Sequence, residues 1–246
     1  MTRKAAAALL DAAGVVACAR VLDVATGTGA LAEAAAERGA HVTAVDITPE
    51  MLDVVRERLP NAELVQADAE DLPFGDASFD AVVAGFVLNH LPVPERGLGE
   101  WARVLRPSGR VAVALWERAP SSRLSTLLGE ATSAAGLDPG AGIPPGPDPF
   151  RLADEGALSA ALSTAGFEAP EEKTLALEHE APDAGSLYEG LLGGTVRGGT
   201  AVLAQDEAGR ERVRAEFEQI AETFRDGDRL RIPAAARMAS ARRGSA

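Results

Sequence analysis

The chain has 246 residues, a formal net charge of −13, 46% hydrophobic and 25% charged residues, a composition ordinary for a globular protein. The acidic balance argues against an RNA or DNA substrate, which calls for a basic face that displaces counterions from phosphates. The sequence has no run of about 18 apolar residues, which argues against a membrane span, and its single cysteine, Cys18, rules out an internal disulfide and a cysteine zinc cage.

The basic start and the alanines that follow are interrupted by Asp11 and show no cleavage site. They do not read as a signal peptide, so the expected compartment is the cytoplasm. Periodicity predicts a helix over 4–13 with Leu9, Leu10 and Ala13 on one side and Gly14 as its stop. Residues 21–25 form a short apolar run without polar alternation, the pattern of a strand covered on both faces. A glycine turn and a helix over 31–38 follow. A second strand occupies 41–46. Thr48, Pro49 and Glu50 then read as a helix start with a capping hydroxyl, a first-turn proline and a first-turn acid. A third strand covers 62–67 and ends at Asp68, a fourth covers 79–85, and Leu98, Trp101, Ala102 and Leu105 mark an amphipathic helix. Residues 107–109 end that helix and 110–116 form a fifth strand. Strict alternation of strand and helix means a doubly wound α/β sheet with right-handed crossovers.

After Trp116 the rhythm changes. Residues 121–135 look helical, 138–149 are a proline- and glycine-rich loop, 154–165 are a helix, and 167–180 hold a sixth strand. Residues 181–231 read as two helices around the glycine-rich GGTVRGG, a helical cap expected over the carboxyl edge of the sheet. A seventh strand lies within 232–243. The one dense basic cluster, Arg237, Arg242 and Arg243, reads as a solvated tail.

The stretch VLDVATGTGALA, residues 21–32, organises the rest. Its glycines allow a tight turn and leave no Cβ to hold a ligand away. The helix behind it directs unpaired N–H groups and a positive dipole end at that turn, which suits a phosphate or a carboxylate. Gly27, Gly29 and Ala32 satisfy a dinucleotide fingerprint, and Asp46, nineteen residues after Gly27, could hold a ribose diol in more than one cofactor class. Asp23 stands inside the strand where that fingerprint usually has an apolar residue. An acid there could orient the turn or accept from an ammonium group. Asp68 and Ala69 follow the third strand, placed for the far end of a nucleoside.

Taken together, VLDVATGTG, VTAVD, ADAEDLPF, SFDAVVAG, LNHLP and RVLRPSGRVAVALW resemble the class I S-adenosylmethionine (SAM)-dependent methyltransferases, in particular the branch typified by the quinone-biosynthesis C-methyltransferases. The resemblance covers roughly residues 21–116 and implies a Rossmann-like fold over a single methyltransferase domain, 1–246. Within it, 1–120 form the SAM-binding half, 121–180 the substrate-side helices and strand, 181–231 the helical cap insertion and 232–246 the last strand and tail. It implies SAM as cofactor, with Asp23, Ala25, Gly27, Thr28 and Gly29 around the methionine part and Ala25 in place of the family's first glycine. It implies Asp46 at the ribose hydroxyls, Ile47 and Met51 beside the adenine, Asp68 and the Ala69 backbone at the adenine edge, and Phe86 near the sulfonium and substrate.

For such a reaction the residues supply one base candidate, His90, just beyond the fourth strand, where ligands gather in an open α/β sheet. The alternative is that His90 packs on the next loop and bonds a backbone carbonyl. Tyr188, the only tyrosine, is a substrate candidate in the cap. No residue spacing suggests a metal. The expected partner is a small organic substrate, with no nucleic acid or membrane and with a homodimer left open. Two competing functions stay in view: a protein of this fold without methyl transfer, such as a cyclase or binding module, and an NAD-dependent oxidoreductase using the same turn.

Overall fold

The computed structural model describes residues 2–143, 148 and 150–244; positions 144–147 and 149 of the expected proline–glycine loop lie outside them. The chain forms two compact units. The first comprises Met1–Trp116, Pro149–Leu175 and Ala236–Ala246, and the second Glu117–Asp148 and Ala176–Ala235.

The strands are β1 (Arg20–Val24), β2 (His41–Asp46), β3 (Glu63–Gln66), β4 (Phe79–Gly85), β5 (Leu105–Trp116), β6 (Phe167–Ala181), β7 (Arg225–Asp226) and β8 (Arg229–Arg243). They form an eight-stranded sheet ordered β3-β2-β1-β4-β5-β8-β6, with β7 pairing only with β8. β1 to β5 are mutually parallel, and β8 runs antiparallel to β5. The sheet is thus doubly wound and mostly parallel, as expected. The two-residue β7, which forms a hairpin with the start of β8, is the strand that hydrophobic patterning does not show. It is too short and too exposed to leave one.

In the first unit, α1 (Thr2–Ala12), α2 (Ala30–Glu37), α3 (Pro49–Arg58) and α4 (Pro94–Val104) alternate with the strands. Successive strand residues point to opposite faces. Val21, Ala81, Val83, Ala112 and Ala114 therefore pack with Leu9 and Leu10 of α1 and Ala32 and Ala35 of α2. Leu22, Val24, Val82, Val111 and Val113 meet Leu98, Trp101 and Val104 of α4 in the other layer. Both faces are covered, which is why the strands read as continuous apolar runs. The buried Trp101 also donates its indole N–H to the Ala69 carbonyl at 3.0 Å, tying α4 to the loop after β3.

Two boundaries differ from expectation here. β5 begins at Leu105 rather than at 110, because Leu105 already pairs with Phe79 before a register shift. The Arg106–Gly109 turn is thus an irregularity within a strand, with Ser108 in the left-handed region at φ +63°. Thr48 does not cap α3 with its hydroxyl; instead its backbone N–H donates to Asp46 Oδ1 at 2.9 Å.

The second unit is mostly helical. It holds α5 (Leu127–Ala134), α7 (Ala184–Gly194), α8 (Val196–Leu203) and α9 (Glu207–Glu222), whereas α6 (Ala157–Thr164) belongs to the first. The segment 181–231 contains three helices where two are expected. The chain does break at Thr195, between α7 and α8, but Gly199 is a packing position: a Cβ on it would lie 2.4 Å from the Leu192 carbonyl oxygen, so only glycine lets α8 approach α7 this closely. Asp183 and Asp206 cap α7 and α9, each accepting from a backbone N–H at 2.7 Å. α5 is shorter than expected because the Arg123 and Leu124 N–H groups donate to the Pro233 carbonyl instead of opening a helix.

Candidate functional site

The strand order places β1 and β4 side by side with crossovers leading away in opposite directions. In open α/β sheets the crevice for a ligand lies at that reversal, beyond the carboxyl ends of the strands. The loops that leave β1, β2, β3 and β4 at this edge carry most of the residues singled out in the sequence.

The turn after β1 is held from beneath by Asp23. This carboxylate is fully buried; its Oδ2 accepts from Thr26 Oγ1 at 2.6 Å and from the Ala32 N–H at 3.0 Å, which pins the turn to the first residues of α2. Its Oδ1 is buried with no partner. Burial pushes the Asp23 carboxyl up to about 7, the bonds from Thr26 and Ala32 oppose that rise, and the nearby Asp46 charge adds to it. Above the turn, Ala25 and Gly27 take left-handed φ values of +53° and +54°. A Cβ built on Gly27 meets nothing within 4 Å, so the space over the turn is open. Gly29, at φ +86°, would place a Cβ 3.0 Å from Val55 of α3; this second glycine is required by packing as well as by conformation. Thr28 is exposed.

Asp46, at the end of β2, is buried. Each of its oxygens accepts one backbone N–H: Oδ2 from Gly27 and Oδ1 from Thr48, both at 2.9 Å. The carboxylate is therefore fixed in orientation, and each oxygen keeps a lone pair for another donor. The side chains of Ile47 and Met51, just beyond it, are 64% and 38% exposed, apolar surface that no core position explains. Asp68 is exposed and accepts from the Glu70 N–H at 2.9 Å, which shapes the turn containing the buried Ala69.

At the end of β4, Phe86 is held at φ +65°, a costly conformation for an aromatic residue, and its N–H donates to the Ala114 carbonyl at 2.7 Å. Its ring stacks on Trp116 with centroids 4.0 Å apart and planes at 15°. His90 sits on a single 3-10 turn, Leu88–His90. Its ring is exposed, with Nε2 3.5 Å from the Asn89 side-chain amide. Asn89 Oδ1 is buried without a partner.

The loops at this edge thus bring Asp23, Ala25, Gly27, Thr28, Gly29, Asp46, Ile47, Met51, Asp68, Ala69, Phe86 and His90 together. Tyr188 is not among them. It is 4% exposed and packs inside the second unit, edge-on to Phe217 with centroids 5.2 Å apart and beneath the Arg214 guanidinium. Burial raises its phenol pKa. That environment makes Tyr188 a core residue of the helices. Thr26 and Trp116 belong to the edge and carry no signal in local spacing. Trp116 meets Phe86 only because β5 lies beside β4 in the register Gly85↔Ala114.

A buried unpaired acceptor at Asp23, open space over Gly27, a fixed diol-accepting carboxylate and two exposed apolar side chains fit a nucleoside cofactor with a cationic amino-acid head. A pyrophosphate fits poorly beside two buried carboxyl groups. The doubly wound sheet and this edge define the Rossmann-like class that methyltransferases share.

Residues 22–113 match the family model of the methyltransferase domain. A demethylmenaquinone methyltransferase of Clavibacter sepedonicus is 47% identical over 104 residues, 41% of this chain and 42% of that protein; the similarity thus spans less than half of the curated relative. The Bacillus subtilis YcgJ protein has the same fold over 99% of both chains, with TM-score 0.64 and 20% identity. A Haemonchus contortus phosphoethanolamine N-methyltransferase, solved with phosphomonomethylethanolamine and S-adenosylhomocysteine (SAH), matches over 98% of this chain and 52% of its own, with TM-score 0.59 and 19% identity. The similarity to the methyltransferase domain, and to the demethylmenaquinone methyltransferases within it, is thus confined to part of the chain. Among the described residues, no helix is long and apolar enough to cross a membrane, and no cluster of ligating side chains could hold a metal.

Proposed function

We propose that the protein is a SAM-dependent methyltransferase acting on a small organic molecule. The observation that carries this reading is Asp46: a buried carboxylate with both oxygens oriented by backbone donors and both able to accept one more hydrogen bond, as a ribose diol requires. Asp23 Oδ1 would receive the ammonium of the amino-acid head, and its burial without a partner supports that role. Ile47 and Met51 would flank the adenine, and Asp68 with the Ala69 backbone would meet its edge. Bound at this edge, SAM would supply an electrophilic methyl group for in-line displacement.

The chain's own part is to orient the acceptor and to manage its proton. Holding two reacting atoms in line is worth about 7–11 kcal/mol in favourable cases. Phe86, stacked on Trp116 at the end of β4, would form the wall against which cofactor and acceptor meet. His90, with its ring exposed at the same edge, is the group that would take a proton from an oxygen or carbon acceptor. The test is calorimetry with SAH and with NAD: micromolar binding of SAH and none of NAD is expected, and the reverse result would overturn the reading. Transfer of label from radioactive SAM to a small-molecule acceptor separates a methyltransferase from a noncatalytic protein of the same fold.

A further inference from the structure

The opposite edge of the same sheet holds a second cleft, which the proposed reaction does not use. It has a volume of about 310 Å³ and is bounded by the loop from α1 to β1, the start of β4 and the turn that opens β5; Cys18, Asp80, Arg106, Ser108 and Arg110 line it. Its volume is at the lower end of the range for small-molecule sites, about 300–1,000 Å³.

The charge here is out of keeping with an acidic chain. Asp80 is the one carboxylate in the cleft, and it is already occupied: Oδ2 accepts the Arg20 N–H at 2.7 Å, and Oδ1 lies 3.6 Å from the Arg20 guanidinium and 3.1 Å from that of Arg106. Arg110 has no acidic partner among the described residues; its Nε donates to the Ala12 carbonyl at 2.8 Å, and its terminal nitrogens remain available. Directly across the β5–β8 pair, Arg110 faces Arg242, which is exposed. Like charges opposite one another in an antiparallel pair are destabilising. Arginines do suit this edge, where helices end with the negative pole of their dipoles. Arg243 shows that use, donating to the carbonyls of Arg103 and Leu105 at the end of α4. Arg110 spends its Nε in the same way on Ala12, the last residue of α1, but its terminal nitrogens and Arg242 have no such partner among the described residues, so dipole compensation accounts for only part of this charge.

We infer that this amino-edge cleft is a binding site for a small oxyanion-bearing molecule, a phosphate or polycarboxylate, gripped by Arg106 and Arg110 with Arg242 beside them. A guanidinium presents paired N–H donors that match two oxygens of either group. The site lies at the far ends of the strands from the glycine turn, so its ligand is a second molecule and not the nucleoside cofactor.

Cys18 is the only cysteine of the chain; it lines the cleft and is exposed, which makes it a local reporter. The experiment follows alkylation of the full chain by iodoacetamide, a neutral reagent, with pyrophosphate, citrate or sodium chloride at equal ionic strength. Pyrophosphate or citrate is expected to slow labelling severalfold while chloride does not, and the better protector identifies phosphate or carboxylate as the recognised group. Arg110→Gln and Arg106→Gln should each weaken the protecting anion about tenfold, which is 1.4 kcal/mol. SAH affinity should be retained in both variants, which verifies that they fold. The exposed Arg106 gives the safeguard if Arg110→Gln fails to fold. Absence of protection by both anions, or protection unchanged in a folded variant, would overturn the inference.

Discussion

The two edges of the first unit's sheet carry opposite chemistry. At the carboxyl edge, Asp23 and Asp46 are buried and receive backbone N–H donors from the turn after β1 and from the starts of α2 and α3. At the amino edge, Arg20 and Arg106 share a single Asp80, and Arg110 faces Arg242 across the β5–β8 pair. Parallel strands joined by helices gather every helix start at one edge and every helix end at the other. The dipoles therefore favour acids on one side and bases on the other. What distinguishes the edges is how fully those charges are satisfied. The acids are tied into the turns and keep defined lone pairs, while Arg110 and Arg242 have no anionic partner among the described residues. Each edge thus presents the charge that its ligand would lack.

The comparison can be tested from the carboxyl edge downward in effect. His90→Gln should lower the methyl-transfer kcat by about 10²–10⁴ for an oxygen or carbon acceptor and leave SAH affinity unchanged. Steady-state kinetics beside calorimetry reads both, and an unaltered kcat would return His90 to a plain loop residue. Asp46→Ala should weaken SAH by roughly tenfold or more, since hydrogen bonds to charged groups contribute about 1.5–3 kcal/mol. Unchanged affinity would detach the ribose from Asp46.

Asp23 links the turn to pH. Its carboxyl is raised to about 7 from an unfolded value near 3.9. Between those values the folded protein holds a proton that the unfolded chain has released. Stability should therefore fall as pH climbs from about 4 to about 7 and level off above, because the buried charge is then borne in full. The thermal midpoint of Asp23→Asn should drop less over that interval, a difference that differential scanning calorimetry can measure. Ionised Asp23 attracts an ammonium, so SAH affinity should rise as pH passes through 7 in the native protein and stay flatter in Asp23→Asn. Parallel pH profiles for the two proteins would remove Asp23 from the head-group site.

The smallest effect belongs to the amino edge. Arg242→Gln should raise the melting temperature slightly, because the facing Arg110 loses a like-charged neighbour worth about 0.2–1 kcal/mol across a strand pair. A fall in melting temperature would show that Arg242 is held by favourable contacts.

Much of the first unit was legible in the order of its residues. Apolar runs bounded by glycine and proline define the parallel strands, because burial on both faces leaves no polar alternation to blur them. The glycine turn and Asp46 were readable because only certain residue types allow that backbone or that polar grip. Boundaries were less secure where tertiary pairing prevailed over local preference. Leu105 fits the helical stripe yet pairs with Phe79 as strand, and Gly199 of GGTVRGG, beyond the break at Thr195, lets α8 approach α7 at close range.

The sequence by itself therefore determined the sheet, the turn and the aspartates at its edge, since each follows from local geometry and residue chemistry. Only the tertiary structure could decide that Asp46 holds the Gly27 and Thr48 N–H groups at once, that Phe86 stacks on Trp116, that Tyr188 is core, and that Arg110 meets Arg242. Those pairs lie far apart along the chain or depend on strand register. Side-chain charge and shape reveal nothing about such neighbours until packing fixes which strands are adjacent.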